Sequence, residues 1–170
     1  MDMIFSGRTW LFGNDVDTDH IIPSRYLQIS DYIEMSRYCF VDVRQEFAQN
    51  CRPGDILVAG KNFGCGSSRQ FAPIVIKNCG VSCVVAESFS RLFLRNCFNM
   101  GFLAVELPLS TKLIGEGDII TVDVPGGKII NESKGELYAI GEIPPFMLSL
   151  YEVGGLEGLI PKRLQEERNV

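Results

Sequence analysis

Residues 55–107 read DILVAGKNFGCGSSRQFAPIVIKNCGVSCVVAESFSRLFLRNCFNMGFLAVEL, and this stretch decides the fold. Three short apolar runs in it predict buried strands, and the two segments between them have helical spacing. The strands are predicted at Asp55–Gly60, Val81–Ala86 and Phe102–Leu107, and the helices near Gln70–Asn78 and Phe89–Met100. Alternation of this kind predicts a parallel sheet with right-handed crossovers.

Three residues mark the ends of these predicted helices. Proline is tolerated in the first turn of a helix, so Pro73 places the start of the first helix close to residues 68–70. Ser88 is a plausible N-cap of the second helix, and Gly101 suits the position just after its end.

The sequence on either side adds further elements. Residues 1–10 predict a strand, and residues near Ser30–Phe40 have helical spacing, with Ser30 or Asp31 as a plausible N-cap. After residue 115, the segments GDIITVDV, GGKIIN and ELYAIGEI predict short antiparallel strands joined by glycine-rich turns. From Pro144 onward the tail is predicted to be helical, with an interruption at residues 154–155.

These elements predict a three-layer α/β fold with a parallel sheet core and a small antiparallel β appendage. We expect one domain over residues 1–170 that ends in a helical tail over about residues 144–170.

Composition excludes several classes of protein. Apolar residues make up 46% of the chain and charged residues 22%, which indicates a folded core. The formal net charge is −5, which argues against a nucleic-acid-binding surface. The N-terminal residues lack the pattern of a secretory signal, and no apolar run reaches the roughly 18 residues of a membrane span. We therefore expect a cytoplasmic location and no membrane contact.

The six cysteines predict reduced thiols and no metal site in this chain. They are Cys39, Cys51, Cys65, Cys79, Cys83 and Cys97. No CxxC pair is present, and His20 is the single histidine, so neither an iron–sulfur cluster nor a zinc site is expected here.

The loop Asn62–Arg69, which reads NFGCGSSR, carries the polar chemistry. It follows a predicted strand and opens a predicted helix, which is where ligands collect in open α/β sheets. Ser67 and Ser68 are predicted at the positive end of that helix, and Arg69 adds a cation that can bind a carboxylate in bidentate fashion. The glycines of the loop, Gly64 and Gly66, let the backbone approach a ligand closely or adopt positive φ.

Three interpretations of this loop remain open on local chemistry. It is a helix cap with a glycine turn, a cradle for an anion or phosphate, or a site that stabilises a serine alkoxide as a base. It has neither the lysine of a P-loop nor the Gly-x-Ser-x-Gly of a nucleophile elbow.

Three blocks of the sequence together resemble a known family. They are Phe12–Pro23 (FGNDVDTDHIIP), Phe63–Arg69 (FGCGSSR), and Ala86–Arg91 (AESFSR) with Arg95, Asn96, Asn99 and Gly101. The blocks resemble, in this order, the swivelling domain of aconitases and isopropylmalate isomerases. The resemblance runs from about residue 7 to the C-terminal region and implies a swivelling β/β/α-type domain.

The resemblance implies a hydro-lyase reaction, in which a hydroxy-dicarboxylate is dehydrated and the alkene acid is rehydrated on the neighbouring carbon. Ser67 resembles the base that takes the α-proton. Ser68 and Arg69, with the Gly64 and Gly66 backbone, resemble the substrate-binding part of the loop. Asp19 resembles an aspartate that supports this loop; Asp17 and His20 lie beside it, and His20 is expected to be structural.

The resemblance also implies a partner and a substrate. In the family, a [4Fe–4S] cluster on a large subunit binds the substrate as a Lewis acid, so this chain is expected to act only with that subunit. The segment Tyr26-Leu27-Gln28 is expected to select the substrate, and the neutral Gln28 favours an apolar group such as isopropyl, although Arg25 nearby keeps a tricarboxylate possible. The alternatives are homocitrate-type or methylated malate substrates and, in a different class, a non-catalytic RNA- or anion-binding module.

Overall fold

The protein was examined as a computed structural model that describes residues 3–67 and 70–160. The strands are β1 (Ile4–Leu11), β2 (Ile56–Ala59), β3 (Cys83–Ala86), β4 (Leu103–Glu106), β5 (Ile119–Asp123), β6 (Lys128–Asn131) and β7 (Glu136–Ala139). The α-helices are α1 (Thr18–Ile21), α2 (Tyr32–Ser36), α3 (Phe47–Asn50), α4 (Phe71–Asn78), α5 (Arg91–Asn99), α6 (Ser110–Leu113) and α7 (Pro145–Glu152). In the described residues, the strands form one sheet in the order β4-β3-β2-β1-β5-β6-β7.

The parallel core predicted from residues 55–107 is confirmed. Strands β1 to β4 are parallel neighbours, and every residue of β2 and β3 is buried. Helices α4 and α5 connect these strands and pack against each other. Burial of both faces explains why these strands are continuous apolar runs rather than alternating patterns.

The antiparallel strands continue the main sheet beyond β1, so the predicted antiparallel part is one edge of the same sheet in the described residues. Strand β5 pairs antiparallel with β1, from Ile4 opposite Asp123 to Arg8 opposite Ile119. Strands β6 and β7 follow as hairpins. The side of β1 away from β2 is therefore covered by β5.

A cluster of aromatic rings packs the long connection between β1 and β2 against the sheet. The ring centroids of Trp10 and Phe47 lie 5.1 Å apart, and those of Phe12 and Phe40 lie 4.3 Å apart. The Trp10 indole N–H donates to the Asp55 carboxylate at 2.8 Å. This bond joins β1 to the residue that precedes β2.

The helix predicted near Ser30–Phe40 is shorter than expected. Asp31 is its N-cap, as predicted, but helix α2 has five residues and turns follow it. Phe40 has positive φ (58°), a backbone conformation outside the helical region. The predicted helical tail is confirmed for α7 and residues 156–160, with turns between them; residues 161–170 lie outside the described residues.

The N-cap of α5 is Ser90, and the prediction of Ser88 is wrong. The Ser90 hydroxyl accepts a hydrogen bond from the Phe93 N–H, whereas the Ser88 hydroxyl accepts one from the Asn62 N–H. In the described part of the chain, no helix is long and apolar enough to cross a membrane.

Candidate active site

Three loops meet at the edge of the sheet where β1, β2 and β3 end. We call residues 12–17 the first loop, residues 60–67 the second loop and residues 87–90 the third loop. Parallel strands end at the same edge, which is why loops from distant parts of the sequence become neighbours. The three sequence blocks that resemble the family lie on or next to these loops.

Short backbone hydrogen bonds attach the second loop to the first. The Thr18 N–H donates to the Cys65 carbonyl at 2.8 Å, and the Gly64 N–H donates to the Val16 carbonyl at 2.8 Å. Asp17 and Cys65 form an isolated parallel β-bridge between the loops. The position of the second loop is therefore fixed by backbone groups.

The third loop supports the second loop from the other side. The Phe63 N–H donates to the Ser88 carbonyl at 3.0 Å, and the Ser90 N–H donates to the Phe63 carbonyl at 2.9 Å. The Ser90 hydroxyl also donates to the Gly64 carbonyl at 2.7 Å. Ser90 thus joins the start of α5 to the second loop.

Gly64 and Gly66 both have positive φ. The sequence suggested two reasons for a glycine at these positions, a close approach to a ligand or a positive φ, and the second applies to both. Gly64 has φ of 77°, and a Cβ added there would lie 2.2 Å from the Phe93 ring. Gly66 has φ of 94°, and a Cβ there would lie 3.3 Å from Thr18 Oγ1. The space beside Gly64 is therefore taken by a core side chain of α5.

Ser67 is exposed, and its hydroxyl lies 3.1 Å from that of Thr18, a hydrogen bond in which either can donate. Helix α4 begins at Phe71, close to the start that Pro73 predicts, and Gln70 is its N-cap. Ser67 precedes this N-cap by three residues, and the Gln70 side chain makes no capping hydrogen bond. Ser68 and Arg69 lie outside the described residues.

Asp17 and His20 form a capping box at the start of α1. The Asp17 carboxylate accepts from the N–H groups of Asp19 and His20, both at 2.8 Å. His20 Nδ1 in turn accepts from the Asp17 N–H at 3.2 Å. The Asp19 carboxylate accepts from the Ser24 N–H at 3.1 Å. The polar groups of Asp17 and His20 therefore hold the helix whose first residue is Thr18.

The described part of the site is acidic. Burial raises the pKa of the Cys65 thiol, and the negative charges of Asp17 and Asp15 raise it further. The same carboxylates disfavour an approaching anion. A dicarboxylate that binds beside Ser67 therefore needs cations to offset this repulsion, and Arg69 follows Ser67 by two residues.

The segment Tyr26–Gln28 lies where α1 leads into α2. The ring of Tyr26 stacks on Tyr38 with centroids 4.1 Å apart, Leu27 is half-buried, and Gln28 is exposed. The guanidinium of Arg25 binds the Asp42 carboxylate through two hydrogen bonds of 2.7 and 2.5 Å. Asp42 therefore occupies the edge of Arg25 that is formed by its two terminal nitrogens, and an additional substrate carboxylate would have to compete with Asp42 there.

An iron–sulfur cluster needs several thiolates on one side of a cavity. Burial raises the pKa of Cys83 to about 12 and also raises the pKa values of Cys39 and Cys97, so these thiols stay protonated at neutral pH. Within residues 3–67 and 70–160, no group of three or more His, Cys, Asp or Glu residues could hold a metal ion.

Sequence reasoning missed four residues that organise the site: Asn62, Ser88, Ser90 and Thr18. The Asn62 side chain donates to the Asp15 carboxylate at 3.0 Å. All four lie in or beside the three sequence blocks, so the sequence could have identified their positions. Their roles were not, because each acts between loops that are distant in sequence.

Comparison with known proteins agrees with this fold. Residues 9–110 match the family model described as the aconitase C-terminal domain. The 3-isopropylmalate dehydratase small subunit of Thermodesulfovibrio yellowstonii is 46% identical over 97% of this chain and 98% of its own length. The isopropylmalate/citramalate isomerase small subunit of Methanocaldococcus jannaschii is 42% identical over 99% of this chain and 100% of its own length. A crystal structure of 3-isopropylmalate dehydratase from the same organism has a TM-score of 0.94 at 37% identity and covers 98% of this chain and 99% of its own.

The fold and the three-loop site therefore define an aconitase-type C-terminal domain. Within that class, the chain belongs to the family of 3-isopropylmalate dehydratase small subunits. The resemblance seen in the sequence and the predicted fold class are both confirmed.

Proposed function

We propose that this chain is the small subunit of a 3-isopropylmalate dehydratase, a hydro-lyase that interconverts 2-isopropylmalate and 3-isopropylmalate in leucine biosynthesis. The observation that carries the proposal is the 46% identity to the small subunit from Thermodesulfovibrio yellowstonii over nearly the full length of both chains. The contact of Ser67, at the end of the second loop, with Thr18, just after the first loop, supports the same reaction.

In this reaction, Ser67 acts as an alkoxide, and its Oγ takes the α-proton of the substrate to become a neutral hydroxyl. The electron pair of the broken C–H bond forms the C=C bond as the hydroxyl leaves the neighbouring carbon. Rehydration reverses these steps with the hydroxyl on the other carbon. Ser67 is exposed toward an incoming substrate on one side and hydrogen-bonded to buried Thr18 on the other, as a positioned base requires.

Binding of the substrate needs groups beyond the described site. Arg69 and Ser68, with the backbone of Gly64 and Gly66, bind a substrate carboxylate in this proposal, and Asp19 supports the loop. A [4Fe–4S] cluster on a large subunit supplies Lewis-acid binding of the substrate hydroxyl and a carboxylate. The acidic surroundings of the second loop near Ser67 support a division of the site between two subunits, because further cations are needed to bind a dicarboxylate there.

A second candidate substrate is citramalate, which carries a methyl group where 2-isopropylmalate carries isopropyl. The name of the Methanocaldococcus jannaschii relative includes this activity. The exposed, neutral Gln28 is compatible with either apolar group. The Arg25–Asp42 pair disfavours homocitrate-type substrates, because Asp42 already offsets the charge of Arg25 and occupies the edge formed by its terminal nitrogens.

Reconstitution tests the proposal. This chain and the large subunit from the same organism are purified separately under anaerobic conditions and then assayed alone and mixed. We expect turnover only in the mixture, with kcat/KM highest for isopropylmalate, lower for citramalate and lowest for homocitrate. Stoichiometric iron and sulfide on this chain alone, or a stable mixture that leaves isopropylmalate unchanged, would contradict the proposal. Binding of RNA by this chain at moderate salt would favour the non-catalytic alternative.

A further inference from the structure

We infer that Thr18 is the positioning residue for the Ser67 base: its buried hydroxyl selects one orientation of the Ser67 side chain and donates a hydrogen bond to the Ser67 alkoxide that acts as the base. The inference rests on the role proposed for Ser67. It adds a second residue to that role, from a different loop.

The two hydroxyls differ in their surroundings. Thr18 is 3% exposed and Ser67 is exposed, and their oxygen atoms lie 3.1 Å apart. A serine on a glycine-rich loop can occupy three side-chain rotamers with similar energy. A hydrogen bond to a fixed, buried partner favours one of them, so Ser67 does not have to be oriented during the reaction.

The Thr18 hydroxyl is not needed to hold the backbone at this position. Helix α1 is capped by the Asp17 carboxylate. The second loop is attached through backbone groups, the Thr18 N–H to Cys65 and the Gly64 N–H to Val16. The contact between the hydroxyls comes in addition to these bonds, which indicates a role for Ser67 rather than for the fold.

The contact also addresses a chemical difficulty of a serine base. A serine hydroxyl has a very high pKa, and Asp17 and Asp15, which raise the pKa of the Cys65 thiol two residues earlier, make this part of the site acidic. A hydrogen bond donated to an anionic oxygen is about twice as strong as one between neutral groups. Thr18 supplies such a donor from the side that is buried away from water.

Four variants of the reconstituted enzyme test the inference. Thr18→Val keeps the branched shape and removes the hydroxyl, Thr18→Ala removes the hydroxyl with less packing, and Thr18→Ser keeps the hydroxyl. We expect the two variants without a hydroxyl to lower kcat and α-proton exchange about 10- to 100-fold with KM within roughly 3-fold, and Thr18→Ser to stay within roughly 3-fold of wild type. Thr9→Val is the matched control, because Thr9 is a buried threonine whose hydroxyl donates to the Gly115 carbonyl.

A double variant distinguishes positioning from structure. In a Ser67→Ala background, Thr18→Val has no base to orient and should change the residual kcat less than about 2-fold. Wild-type kcat in Thr18→Val and Thr18→Ala, equal losses in Thr18→Ser and Thr18→Ala, or the same loss in the Ser67→Ala background would each overturn the inference. If Ser67→Ala itself keeps wild-type kcat, the base assignment fails instead; if Ser67→Ala is impaired and Thr18→Val is not, only the role of Thr18 fails.

Discussion

The two halves of the sheet share β1 but differ in burial and in their connections. Strands β2 and β3 are buried on both faces, whereas β5 and β6 alternate between buried and more exposed residues. The parallel half is connected through helices and long loops, and the antiparallel half through short turns. The match to the aconitase C-terminal domain ends at residue 110, before β5 begins.

Because of this difference, the candidate site lies on the parallel half of the sheet, whereas the antiparallel half supports the strands of that half. Parallel strands bring successive loops to one edge, so three distant sequence blocks can build one site there. Antiparallel hairpins return the chain to alternate edges and place few residues near that site. Strand β5 instead pairs with β1 and so protects its backbone groups.

The largest expected difference is in kcat, when a serine hydroxyl is removed from each half of the molecule. Ser67→Ala removes the proposed base and should lower kcat by about 10²- to 10⁴-fold with little change in KM. Ser133→Ala, in the turn between β6 and β7, removes a hydroxyl that accepts from the Ile119 N–H and should leave kcat unchanged. The measurement is kcat and α-proton exchange with solvent in the reconstituted enzyme. Wild-type exchange in Ser67→Ala would move the base to the large subunit.

The parallel core was predictable because buried strands and their crossover helices have a strong local signal. The pairing of β5 with β1 was not, because a half-buried strand does not encode which neighbour it joins. The four-residue helices α3 and α6 are too short for helical periodicity to be visible. Ser88 and Ser90 can both cap a helix, and the bond from Asn62 to Ser88 helps to decide between them.

The site was predictable as a set of blocks but not as a set of contacts. Ser67, Asp17 and His20 could be selected from the sequence pattern. The contact of Thr18 with Ser67 depends on bringing together loops that are 49 residues apart in the chain. Such a contact is a property of the parallel topology.

A second pair of variants compares backbone strain in the two halves. Gly64 and Gly117 both have φ of 77°, but a Cβ at Gly64 would lie 2.2 Å from the Phe93 ring, and one at Gly117 would meet nothing within 4 Å. Gly117→Ala should therefore lower the free energy of unfolding by roughly 1–2 kcal/mol from left-handed strain alone. Gly64→Ala should add roughly 1–3 kcal/mol of overpacking. Urea unfolding of both variants measures the difference, and equal losses would show that Phe93 moves away without cost.

The smallest expected effect is a dependence of stability on alkaline pH that comes from the parallel half. All six cysteines lie between residues 39 and 97, and burial raises the pKa of Cys83, on β3, to about 12. An unfolded thiol has a pKa of about 8.5. Between about pH 8.5 and pH 12, the unfolded chain has lost the thiol proton of Cys83, whereas the folded chain keeps it. The contribution of Cys83 to the free energy of unfolding is therefore fully present below about pH 8.5 and falls as the pH rises. For Cys83 alone the loss by pH 10 is roughly 1–2 kcal/mol.

A tyrosine of the antiparallel half provides the comparison. Burial, followed by the hydrogen bond with Glu136, raises the pKa of Tyr138 to about 12. An unfolded tyrosine has a pKa of about 10, so the contribution of Tyr138 to the free energy of unfolding changes mainly above that pH. Between pH 8 and pH 9.5, Cys83→Ala should therefore show a flatter decline in unfolding free energy than wild type, whereas Tyr138→Phe should follow the wild-type slope. Because the slope is compared and not the absolute stability, the packing lost in Cys83→Ala does not affect the test. An unchanged slope in Cys83→Ala would mean that water reaches β3 and that the parallel half is less closed than its burial indicates.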